Sequence, residues 1–233
     1  MALNGNLMDI TEAKSANDLI IKQKQQLTDI NRHTRESIEY ASLIQYSLLP
    51  DEVSFERYFS DYFSFWEPKD IVGGDIYLME KVSEDEVILM VIDCTGHGVP
   101  GAFVTMLVKA IERQIIAGLF KDKEISPAKI LSIFNRSIKH LLKQDQKAAV
   151  SDAGFDGGII YYNKGQNLLK FSGAQIPLLM IQNDEMQIIK GDRHSIGYNK
   201  SDVEYRRFSE DIKIQCGTAK FFANKMRAAV LWH

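Results

Sequence analysis

Two aspartates stand where a carboxylate can be put to chemical use. Asp75 closes the run Asp70-Ile-Val-Gly-Gly-Asp75. Asp93 follows the apolar run Val87-Ile-Leu-Met-Val-Ile92 and opens Asp93-Cys-Thr-Gly-His-Gly98. A strand fixes the direction of a side chain at its end, and glycines let backbone approach a ligand closely. Hard cations such as Mg²⁺ and Mn²⁺ take oxygen ligands from carboxylates, carbonyls and water. Two such acids can hold one ion or bridge two, and a two-metal site activates water for displacement at phosphorus. Aspartates in D-x-x-G turns also serve simply as caps. Spacing alone leaves both roles open.

The neighbours narrow the chemistry. His97 has no second His or Cys at ligand spacing, so by itself it reads as a turn histidine rather than a metal ligand. The glycine-rich turn lacks the G-x-x-x-x-G-K-[ST] lysine, which argues against a nucleotide cradle of that kind. Cys94 adjoins Asp93, whose charge opposes thiolate formation, so its backbone or its packing is the expected contribution. Lys69 is the basic residue nearest the first acidic motif and could meet a phosphate, although a solvated surface lysine is the plainer reading.

The elements that must position these residues follow from the pattern. From Asp9 to Leu49 there is no Gly or Pro, and Ile20, Leu27, Thr34, Ala41 and Leu48 fall seven apart. Gln23, Ile30, Ser37 and Ile44 make a second series three residues on, an a/d ladder weakened by polar core slots. It fits either a solvated helix or a parallel dimer stem, and Pro50 ends it. Residues 51–93 read as strands, with Val87–Ile92 buried on both faces. Val104, Leu107, Val108, Ile111 and Ile115 form a helical stripe. Ser126-Pro127 starts a second helix. From Phe155 onward, period-2 segments at Ile159–Tyr162, Asn167–Phe171, Leu178–Gln182 and Met186–Lys190 suggest an antiparallel meander. The class is α+β, helices on a mainly antiparallel sheet.

Composition excludes several functions. Net charge is −3, from 28 basic and 31 acidic residues, so no global nucleic-acid footprint exists. Two cysteines cannot build a disulfide framework and suit a reducing compartment. The longest apolar run falls far short of the ~20 residues of a membrane span. The expected location is cytoplasmic, or the cytosolic end of a larger sensor.

Pro68-Lys-Asp-Ile-Val-Gly-Gly-Asp75 and Asp93-Cys-Thr-Gly-His-Gly-Val-Pro-Gly-Ala102 resemble the SpoIIE/RsbU-type branch of the PPM serine/threonine phosphatases. Ser37–Pro50 is similar to the family's linker helix, and Phe155-Asp-Gly-Gly-Ile159 to its mid-domain strand. Phe171-Ser-Gly-Ala-Gln-Ile-Pro-Leu178 is similar to its later hairpin, followed in order by Lys190-Gly-Asp-Arg193 and Ile196-Gly-Tyr198. The resemblance implies an α-β-β-α sandwich after a long N-terminal linker helix, with a linker over 1–50 and the phosphatase domain over 51–233. It implies a binuclear Mn²⁺ or Mg²⁺ centre whose water attacks phosphoserine or phosphothreonine. Asp75 and Asp93 match metal-site acids, and the Cys94 carbonyl matches the ligand beside them. The implied partner is a phosphorylated STAS-type protein, and the stem implies a homodimer.

Two further aspartates of the family pattern are missing. One belongs to an S-D-G motif, the other to a D-D-x-T-like motif near the C-terminus, and no acidic residue follows Asp211. The sequence reads as a sandwich incomplete at its C-terminus, frameshifted or ended early near residue 216. Two divalent ions repel strongly unless several carboxylates neutralise them. Weak metal binding and little activity are therefore expected. A non-catalytic pseudophosphatase that binds a phosphoprotein, and more remotely a coiled-coil scaffold, are the alternatives.

Overall fold

The computed structural model describes residues 11–119, 124–146, 149–182, 185–202, 212–215, 220–225 and 228–232. The chain divides into two compact units, Met1–Ala41 and Ser42–His233. Helix α1, Thr11–Tyr46, supplies the first unit, as the lack of glycine and proline requires. Its ladder residues Ile20, Leu27 and Ile30 are exposed, at 60%, 59% and 62%. Gln45 is its one buried residue. No helix among the described residues is long and apolar enough to cross a membrane.

The second unit takes in the end of α1 from Ser42 and then a short helix, α2 (Glu52–Glu56), inside the stretch expected to be all strand. Local chemistry overrides the strand pattern there: the Asp51 carboxylate accepts from the Ser54 amide at 2.9 Å and satisfies an orphan donor of the first turn. Phe55 on α2 is buried. The strands β1 (Tyr62–Trp66), β2 (Asp75–Lys81) and β3 (Glu86–Cys94) follow. Helix α3 (Gly98–Leu119) leaves the glycine-rich turn directly. Helix α4 (Pro127–Leu141) is capped by Ser126, whose side chain accepts from the Lys129 amide. Then come β4 (Phe155–Asn163), β5 (Leu168–Ala174), β6 (Leu178–Gln182) and β7 (Glu185–Ile189). Three further strands are β8 (Ile212–Gln215), β9 (Lys220–Lys225) and β10 (Ala228–Trp232).

Two antiparallel five-stranded sheets form, ordered β2-β3-β4-β5-β8 and β1-β10-β9-β6-β7. The expected meander is therefore split. β4 and β5 pair in the first sheet, β6 and β7 in the second. The break falls at Gln175, in a left-handed conformation with φ 65°, and at Pro177, which cannot donate to a ladder. The residues after 216, where the family pattern fades, supply two strands that lie between β1 and β6.

β3 shows why its apolar run is unbroken. Ile88, Met90 and Ile92 join a core with Val108 and Ile111 of α3 and Ile130, Phe134 and Ile138 of α4. Val87, Leu89 and Val91 join a second core with Phe55, Phe171, Leu178 and Met180. Alternate side chains of one strand thus enter different layers, one beneath the helices and one between the sheets. β3 is gripped on both faces, and its C-terminal end is held rigidly. That end carries Asp93.

Candidate functional site

Asp75 is the first residue of β2 and lies directly opposite Asp93 near the end of β3. Directly opposed residues of an antiparallel pair share a face, with Cβ atoms about 4.5–5.5 Å apart. The two acids line one cavity of about 350 Å³ with Lys69, Gly74, Cys94 and His97. Every candidate residue of the sequence reading thus meets in one place.

The floor is made of backbone. The Cys94 amide donates to the Gly74 carbonyl at 2.8 Å and ties the two acidic loops together. A Cβ on Gly74 would lie 2.4 Å from the Gly96 carbonyl oxygen and 2.8 Å from that of Cys94. Only glycine fits here, and two carbonyl oxygens converge beside two carboxylates. Gly96 takes φ 87°, a left-handed turn that a side chain would strain. Burial, and then the charges of Asp93 and Asp75, push the Cys94 thiol well above its ordinary range, which disfavours a thiolate.

At the cavity mouth, His97 Nδ1 lies 2.7 Å from Asp70 Oδ2. The carboxylate favours a proton on Nδ1, which leaves Nε2 as the acceptor of the neutral ring.

The sequence reading missed two residues. Asp156 lies opposite Asp93 on the other side, in β4, so three carboxylates run in a row across β2, β3 and β4. Its motif was visible, but its place depends on strand register. Gln45 is the second. Its Nε2 donates to the Gly73 carbonyl at 2.7 Å and to Thr105 Oγ1 at 2.9 Å, while its Oε1 accepts from the Gly73 amide at 3.0 Å. A single side chain from the last turn of α1 thus grips the loop that carries Asp75 and the first turns of α3. The one signal was a polar residue on the face that also presents Leu48 and Leu49.

The donor set suits a hard cation: carboxylate and carbonyl oxygens, with a thiol that stays protonated. Among the described residues no cluster of three or more His, Cys, Asp and Glu side chains is gathered tightly enough to cage a metal. Two paired acids and adjoining carbonyls fit one divalent ion better than two.

The sequence profile of the Stage II sporulation protein E (SpoIIE) family matches residues 83–211, more than half of the chain. The chain belongs to the SpoIIE family. This SpoIIE-family chain is 26% identical over 117 residues to the phosphoserine phosphatase RsbP of Bacillus subtilis (strain 168), a match covering 50% of this chain and 27% of that protein. It therefore spans about a quarter of the curated relative's length. Its fold is similar to the SiaA-PP2C domain of Pseudomonas aeruginosa, with a TM-score of 0.67 and 29% identity over 83% of this chain and 72% of the other. A bacterial serine phosphatase bearing a point mutation shares the fold at a TM-score of 0.52 and 10% identity, over 71% of this chain and 76% of its own. The fold is thus the PP2C-type sandwich, preceded by the long helix α1.

Proposed function

We propose that this chain hydrolyses phosphoserine or phosphothreonine on a regulatory protein, with a Mn²⁺ or Mg²⁺ ion held by Asp75, Asp93 and the Cys94 carbonyl. The observation that carries the reading is the direct opposition of Asp75 and Asp93 above converging Gly96 and Cys94 carbonyls. Such an ion, when bound, supplies an activated water and neutralises phosphoryl oxygens. The chain's own groups do the rest. Asp75 and Asp93 are aimed by paired strands and need no reorganisation. Lys69, on the cavity wall, offers a positive charge to a phosphate. His97, oriented by Asp70, presents Nε2 at the mouth as a hydrogen-bond acceptor for a donor group of the incoming substrate. The reading includes a phosphorylated STAS-like protein as substrate, a homodimer through the linker of residues 1–50, and a cytoplasmic setting.

A second reading has specific support. The paired acids are few for two ions, and no cluster of three or more metal-ligating side chains stands among the described residues. A pseudophosphatase that binds a phosphoprotein without turning it over meets both observations.

One experiment separates them. The full chain is assayed on p-nitrophenyl phosphate across a Mn²⁺ titration, with Asp93→Ala as control and Mn²⁺ binding followed by calorimetry. Turnover that rises with Mn²⁺ and vanishes in the variant supports catalysis. A folded chain with no turnover at millimolar Mn²⁺ sinks the catalytic reading. Phosphoprotein binding that ignores both Mn²⁺ and Asp75→Asn then supports the second.

A further inference from the structure

Away from the acids, a cavity of about 700 Å³ opens between the last turn of α1, the cap of α2 and strand β1. Its volume lies in the range of small-molecule sites. Aromatic rings dominate its lining. Phe55 and Tyr62 stack with centroids 5.0 Å apart and planes 13° apart. Tyr77 lies 6.3 Å from Phe55 at 56°, and Tyr46 completes the wall. Phe55 and Tyr77 are buried, at 1% and 6% exposure, so the floor is fixed by the core. Asp51 and Glu52 stand among the lining residues, and no described Lys, Arg or His does.

Aromatic faces carry negative potential and attract cations, the more so when a carboxylate stands nearby. The titration of the wall agrees in sign. Burial, then the charges of Glu52, Glu56 and Asp51, pushes the Tyr62 phenol above its ordinary range. We infer that this cavity binds an organic cation, a guanidinium or alkylammonium group, between the faces of Tyr46, Tyr62 and Tyr77 and the carboxylates of Asp51 and Glu52. Tyr46 follows Gln45, which holds the Asp75 loop, so an occupant of the cavity would stiffen the turn from which that loop is gripped.

The test uses the full chain, labelled with ¹⁵N, and three probes: N-acetyl-arginine amide, choline, and N-acetyl-citrulline amide as the neutral isostere of the first. Saturable shifts of the amides of residues 46–49, 51–52 and 62–64 are expected, with a Kd of about 1–10 mM for a single cation. Citrulline should bind about tenfold more weakly or not at all. Tighter binding of the arginine probe marks a basic side chain of a partner as the source, and tighter binding of choline marks a small quaternary amine. Tyr62→Leu should weaken binding about fivefold and Glu52→Gln about threefold, while Tyr62→Phe, which keeps the ring, stays within about twofold. If Tyr62→Leu fails to fold, Glu52→Gln and the citrulline comparison decide. Equal binding of citrulline, shifts that map elsewhere, or no saturation would overturn the inference.

Discussion

Asp93 has a carboxylate on each side, Asp75 on one neighbouring strand and Asp156 on the other. Like charges set directly opposite one another destabilise a sheet, and a bound cation relieves that repulsion. Replacing Asp93 with Asn should therefore do two things at once. Mn²⁺ affinity by calorimetry should fall about tenfold or more, and the metal-free protein should melt no lower than wild type. A loss of affinity joined to a lower melting point would instead mark Asp93 as structural. Asp156→Asn separates the row from the pair: Mn²⁺ affinity should fall about threefold, because the third acid adds charge at a distance, and an unchanged affinity would remove Asp156 from the site. Asp75, Asp93 and Cys94 were legible in the sequence because glycines surround them, and glycine marks places where backbone must come close. Asp156 was not, since its neighbourhood is created by strand pairing across a long stretch of intervening chain.

At the level of elements, Gln45 ties the end of α1 to the Gly73 loop and to α3. Its amide meets both polar groups of Gly73 and the hydroxyl of Thr105, so its removal leaves buried donors and acceptors without partners. Gln45→Ala should cost about 2–3 kcal/mol in urea unfolding. It should also weaken Mn²⁺ binding, because the Asp75 loop loses its anchor. Gln45→Glu, with an acceptor in place of the donor, should not rescue it. Helix α3 carries a second buried polar group. Glu112 is fully buried against Glu80 of β2, and Lys109 Nζ lies 2.7 Å from Glu80 Oε1 and 3.0 Å from Glu112 Oε2. Burial, then the neighbouring Glu80, raises the Glu112 pKa from 4.5 to about 7. Its folded pKa exceeds its unfolded one, so the folded state holds more protons between those values and stability falls as pH rises through them. Glu112→Gln should thus stabilise the protein at pH 8, by up to about 3 kcal/mol, and by little at pH 4.5. Equal gains at both pH values would mean that the carboxyl titrates normally. The helical stripe of α3 and the cap of α4 were readable from periodicity. α2 was not, because a five-residue helix has too few turns to show a period, and one capping aspartate decided it.

For the whole molecule, periodicity gave strands but not their sheets. Leu178–Gln182 has the same alternation as the strand before it, yet it joins the other sheet, because the bend at Gln175 and Pro177 is a matter of backbone geometry. The residues after 216 show the same limit: their motif content departs from the family, while Lys220–Lys225 and Ala228–Trp232 still pair between β1 and β6. Strand formation asks only for alternation and a waiting edge, whereas metal ligation asks for particular residues. The N-terminal unit poses the opposite problem, a legible pattern whose apolar residues stay exposed among the described residues. Leu19, Ile20, Leu27 and Ile30 are all more than half exposed on α1. Surface pairs such as Arg35–Glu39, at 2.7 Å, add only about 0.2–0.5 kcal/mol each to an isolated helix. Burial of each Leu or Ile in a two-chain seam contributes about 1.5–3 kcal/mol, far more than such a pair. The full chain is therefore expected to sediment as a dimer, near twice its 26.5 kDa mass. The double variant Leu27→Glu, Ile30→Glu should sediment as a monomer with reduced helical circular dichroism. Because Ser42–His233 forms a compact unit of its own, that variant should keep its Mn²⁺ affinity within about twofold. A dimer that survives the double substitution would assign self-association to another surface. A monomer that also loses the metal would mean that the two units share their stability.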